Sequence, residues 1–139
     1  MGKDVVESRQ RGGDTEKMTV NIGVVDLGQV DLLVQEGFYA NRSDLVRTAV
    51  RNQLAAHADV LKQAVARRTL TLGLFHCSRA DLEQAVKSGR RLRIEVVGLA
   101  RIANDVSPEL ARAAIESVSV LGAFHAPAPV RRALADRMN

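Results

Sequence analysis

The sequence has no tryptophan, one tyrosine, three phenylalanines and one cysteine in 139 residues. With aromatics at 3%, a platform of stacked rings for single-stranded nucleic acid is hard to build, which argues against an RNA-binding sheet. The single thiol, Cys77, can neither close a disulfide within the chain nor form a multi-cysteine zinc site. No apolar run approaches the ~20 residues of a membrane span, and no basic, apolar-cored leader is legible. A cytoplasmic protein with no membrane partner is expected. Catalytic patterns are missing too: there is no glycine-rich phosphate loop, no nucleophile elbow and no pair of acids at matched spacing. The chain therefore does not read as an enzyme, and no catalytic residue or cofactor is expected.

What is present is 46% hydrophobic and 26% charged residues, the composition of one or two small domains. The net charge is +4 and the pI about 9.8, which makes a polyanionic partner plausible without proving one. That charge is unevenly placed. Residues 1–17 hold four bases and four acids, and residues 18–40 hold three acids and no base. Residues 41–68 hold six bases, Arg42, Arg47, Arg51, Lys62, Arg67 and Arg68, against Asp44 and Asp59. The positive field is concentrated there.

Residues 1–16 are polar and aperiodic, so they cannot bury enough surface to offset their ordering entropy and read as a disordered tail. From Lys17 to Ile22 polar and apolar residues alternate, the pattern of a strand with Met18, Val20 and Ile22 facing inward. Asp26 to Gln29 has the spacing of a capping box for a first helix of about ten residues, with Leu27, Val30, Leu33 and Val34 on its apolar face and Gly37 as its stop. Asn41-Arg42-Ser43-Asp44 repeats the capping logic, and Leu45, Val46, Ala49, Val50 and Leu54 place an apolar stripe on a second helix. That helix is read as running on toward Arg68, with residues 57–68 as an extension or linker.

One lone strand and two short helices cannot supply a core. Two copies pairing their strands antiparallel across a two-fold axis would supply both the missing hydrogen bonds and the missing burial.

Residues 18–54, and most specifically the link from Gly37 through Phe38, Tyr39, Ala40, Asn41, Arg42 and Ser43 to Asp44, resemble the ribbon-helix-helix DNA-binding family of the CopG, Arc and MetJ type. The resemblance implies an obligate homodimer, or a higher homo-oligomer, whose antiparallel ribbon enters the major groove of double-stranded DNA. It implies that Lys17, Thr19 and Asn21 read base edges, a task their chemistry suits: Asn can bond adenine at two points, Thr can contact a thymine methyl, and Lys can reach guanine acceptors. It also sets the start of the second helix against the phosphate backbone, where free amides and the helix dipole attract anions, with Asn41, Arg42, Ser43 and Arg47 in that role. Plain helix capping is the alternative role for Asn41 and Ser43. Arg47 and Arg51, off the apolar stripe, raise the local field, and Phe38 and Tyr39 read as packing residues.

From residue 69 a weak internal repeat emerges when Gly73, Gly98 and Gly122 are aligned, at spacings of 25 and 24 residues. Each unit reads as a strand, a glycine where the chain bends, and then a helix, with Ser78 to Asp81 as a capping box and Ser107-Pro108-Glu109 as a cap. The fold class expected is α+β: a ribbon-helix-helix domain at 17–56, then a small α/β domain of three strand-helix repeats at 69–139, used for oligomerisation or sensing. His57, His76, Cys77 and His125 are the only candidate metal donors, and adjacent His76 and Cys77 point opposite ways on a strand. No metal site is therefore expected, and a small-molecule or metal effector is disfavoured.

The function expected is a sequence-specific transcriptional regulator, acting as a repressor in association with the bacterial nucleoid. Rival readings are a DNA-organising scaffold that polymerises through its C-terminal repeats, an antitoxin, and a metal-responsive regulator.

Overall fold

The computed structural model describes residues 15–139, so most of the expected tail lies outside the described residues. The fold mixes helices and strands, and the described chain divides into two compact units, residues 15–63 and residues 64–139.

In the first unit, residues 15–23 carry no regular secondary structure. A strand exists only through a partner strand, and among the described residues none pairs with residues 17–22. Helix α1 spans Val24–Gln35. It begins earlier than the Asp26 capping pattern implies, because Gly23 is the N-cap with no side-chain bond and Asp26 lies in the first turn. An acid there still favours the positive helix end. Its C-terminus follows the sequence: Gly37 takes φ +87°, the Phe38 amide donates to the Leu33 carbonyl at 3.0 Å, and the Gly37 amide donates to that of Val34 at 3.1 Å. Helix α2 spans Arg42–Ala56 and α3 spans Ala58–Arg67. The reading of one continuous helix fails at His57, whose backbone leaves helical geometry (φ −105°, ψ 17°).

None of these three helices has a buried residue. Leu27, Val30, Val34 and Leu45 are half-buried, while Leu33, Val46, Val50 and Leu54 are exposed. The helix pair on its own encloses no core.

The second unit is the opposite case. Strands β1 (Thr71–Cys77), β2 (Leu92–Ile102) and β3 (Ile115–His125) form a parallel sheet in that order, and helices α4 (Arg79–Lys87), α5 (Pro108–Ala114) and α6 (Ala128–Ala133) follow them in turn. Leu82 and Ala85 of α4, Ala111 and Ala114 of α5, and Val130 meet Ile94, Val96, Ala100, Ile102 and Val118 in one buried cluster. Burial of alternate residues on β2 is what a sheet with helices on one face requires. Ser78 and Asp81 form a reciprocal capping box on α4, and Ser107 caps α5 ahead of Pro108.

Gly73, Gly98 and Gly122 are direct neighbours in the register, with φ +117°, +135° and +122°. A Cβ on Gly98 would lie 2.2 Å from the Gly73 carbonyl oxygen, and one on Gly122 would lie 2.1 Å from that of Gly98. The repeat spacing in the sequence is the trace of this ladder.

Candidate nucleic-acid interface

Lys17, Thr19 and Asn21 lie exposed on the segment before α1 and make no hydrogen bond among the described residues. They alternate with Met18, Val20 and Ile22, which are 82%, 60% and 44% exposed. Apolar side chains so open at every second position are unusual on a solvated surface.

The start of α2 is built locally. The Asn41 side chain accepts from the Asp44 amide at 2.8 Å, and the Asp44 carboxylate accepts from the Ala40 amide at 2.9 Å. Asn41 therefore spends its side-chain oxygen on the cap. The amides of Arg42 and Ser43, first and second in the helix, take no acceptor among the described residues and add to the positive end of the dipole. Arg42, Ser43 and Arg47 come together around a shallow depression of about 230 Å³ floored by Val46, whereas Asn41 does not line it. Arg47 has no ion-pair partner among the described residues.

Arg42 is differently placed. Its Nε donates to Asp31 Oδ1 at 2.7 Å and a terminal nitrogen donates to Oδ2 at 2.8 Å, a bidentate bridge from α2 back to α1. Its hydrogen bonds hold the Asp31 carboxyl below the usual carboxylate range, and Asp31 in turn raises the guanidinium. Asp31 carries no motif, and eleven residues separate it from Arg42. Only the folded helix pair reveals it as the group that aims this arginine.

In the second unit Arg101, Asn104, Phe124, His125 and Arg131 surround a depression of about 450 Å³ at the C-terminal ends of β2 and β3. Arg131 is committed within it, donating to the Phe124 carbonyl with its guanidinium 5.4 Å from the centre of the Phe124 ring. Cys77 is 2% exposed while neighbouring His76 faces outward, so the two do not converge. Burial, with the Asp81 charge nearby, pushes the Cys77 thiol up to about 11. Among the described residues there is no group of three or more His, Cys, Asp and Glu able to hold a metal ion, and no helix is long and apolar enough to cross a membrane.

An alternating segment followed by two helices, with unbonded amides and the Arg42 and Arg47 side chains at the start of the second, is the layout of a helix-pair transcriptional regulator. The chain belongs to the ribbon-helix-helix transcriptional regulator family, whose sequence model matches residues 13–131. The match extends well beyond the helix pair and through most of the parallel-sheet unit. No curated protein and no solved structure matches the chain.

Proposed function

We propose that two copies of the chain pair residues 17–22 as an antiparallel ribbon, and that the dimer binds double-stranded DNA in a sequence-specific manner as a repressor. The carrying observation is the first unit's lack of any buried residue while Met18, Val20 and Ile22 stand exposed at alternate positions. Pairing would turn these three residues onto the exposed stripe of Leu33, Val46, Val50 and Leu54, and would leave Lys17, Thr19 and Asn21 on the groove-facing side. At about 25 cal/mol per Å² of apolar surface removed from water, only such burial can hold two short helices and a strand together.

In this arrangement Asn21 and Thr19 read base edges, and Lys17, at the end of the ribbon, reaches guanine acceptors. The Arg42 and Ser43 amides and the Ser43 and Arg47 side chains hold phosphate, with Asn41 shaping the turn. Two-fold symmetry gives an operator of two inverted half-sites. An antitoxin needs a segment that folds on its toxin, and the second unit, with its own buried cluster, is not of that kind.

Amide hydrogen exchange on the full-length protein tests the pairing. Slow exchange at residues 17–22, lost together with duplex binding in Val20→Asp, is the result expected. Fast exchange at those amides in the wild-type protein would remove the ribbon.

A further inference from the structure

Strands β1 and β3 are the edges of the parallel sheet, and an open edge is a template for another strand. Proteins blunt such edges with charge, proline or a covering element. On β3 the guards, Glu116 and the pairing of Val118 with Met138, lie in its first half; residues 71–77 of β1 read TLGLFHC and residues 120–125 of β3 read VLGAFH, with no Asp, Glu, Lys, Arg or Pro. Leu72, Leu74 and Leu121 are 71%, 59% and 51% exposed.

The two edges match each other in length. On β3 the only strand bridge outside the sheet, among the described residues, is Val118 to Met138, reinforced by the Asn139 amide donating to the Val118 carbonyl at 2.8 Å. Thr71, the first paired residue of β1, sits in the row of Val96 and Val120, two rows past Val118. The stretch of β3 beyond that bridge is therefore the stretch that β1 is able to pair.

They also match in shape. Each strand bends at its glycine, so an ordinary flat strand would not lie flush against β3. Gly98 and Gly122 each receive the preceding strand's glycine carbonyl where a Cβ would stand. Gly73 has the same bend, with φ +117°, but nothing lies within 4 Å of its Cβ position. It is shaped for a carbonyl that the described residues do not provide.

We infer that β1 of a second copy pairs parallel to β3 of the first, in the register Thr71 beside Val120 through His76 beside His125, continuing the glycine ladder from Gly122 into Gly73. This contact joins two different surfaces, so it leaves a free edge at each end and builds an open chain or a closed ring rather than a simple dimer. It stands on the second unit alone and does not depend on how residues 17–47 meet DNA.

Disulfide trapping in the full-length protein tests it. Leu72 and Leu121 become neighbours on adjacent strands in this register, within the reach of a disulfide, and both are exposed, so replacing them leaves the core intact. The double variant Leu72→Cys/Leu121→Cys, oxidised mildly, is expected to give a ladder of covalent multimers on a non-reducing gel. Each single variant, and the pair Leu74→Cys/Leu121→Cys set two rows out of register, is expected to give none. No ladder from the in-register pair, an equal ladder from the shifted pair, or linkage of Leu72→Cys alone, which would mean β1 meeting β1, each overturns the proposal.

Discussion

Arg42 grips Asp31 through two hydrogen bonds of 2.7 and 2.8 Å, so the first guanidinium of α2 is already held by a carboxylate of the preceding helix. The pair ties the start of α2 to α1 and partly neutralises the arginine. If Arg42 also serves DNA, Asp31→Asn frees its guanidinium. The log–log salt dependence of duplex binding should then steepen by about 0.9 for each phosphate newly engaged, while Arg42→Ala makes it shallower. Titrations of duplex affinity against salt concentration separate this from a purely structural clamp, for which both variants keep the wild-type slope.

Among the described residues three carboxyls lie below their usual range: Asp31 through the Arg42 hydrogen bonds, Asp81 through its bonds with the backbone and side chain of Ser78, and Asp136 through those from Arg112. A pKa lower in the folded chain than in the unfolded one stabilises above the unfolded value, and that stabilisation is lost as pH falls through the folded value. Thermal midpoints should therefore hold near neutral pH and drop below about pH 4. Asp81→Asn, which removes the carboxylate from the α4 cap, should soften the drop. A midpoint that rises on acidification would reverse the sign of this account.

Gly98→Ala should be strongly damaging to the sheet. It forces an L side chain into φ +135° and sets a carbon 2.2 Å from the Gly73 carbonyl. The backbone conformation alone costs about 1–3 kcal/mol, and the clash adds to that. Gly28→Ala, inside α1 with nothing within 4 Å, should instead stabilise by about 0.4–1 kcal/mol. Urea unfolding of the two variants gives opposite signs if the ladder is as described.

Cys77 should resist alkylation in the native protein at mildly alkaline pH, because a buried thiol pushed up to about 11 presents almost no thiolate. Mass spectrometry after treatment with iodoacetamide should find it unmodified until denaturant is added. Rapid native labelling would mean that the sheet opens at β1.

What the sequence makes legible is what short-range chemistry decides. The Asn41 cap, the Gly37 stop and the Ser78–Asp81 box each close within a few residues, and the glycine spacing is legible because all three positions take a positive φ that L side chains rarely adopt. The start of α1 was displaced because Gly23 caps without a side chain and so leaves no pattern. The break at His57 is hidden by an apolar stripe that continues across it. The Arg42–Asp31 bridge and the Met138 pairing with Val118 depend on how elements meet in space, which periodicity does not encode.

Selection of bound duplexes from a random pool, run in parallel with wild-type protein and Asn21→Ala, tests the central claim most directly. The wild-type protein should yield two inverted half-sites, and Asn21→Ala should lose about 1–3 kcal/mol of discrimination at one base pair in each half-site while the rest of the motif persists. No enriched motif from the wild-type protein, or an identical motif from both, would contradict a base-reading ribbon.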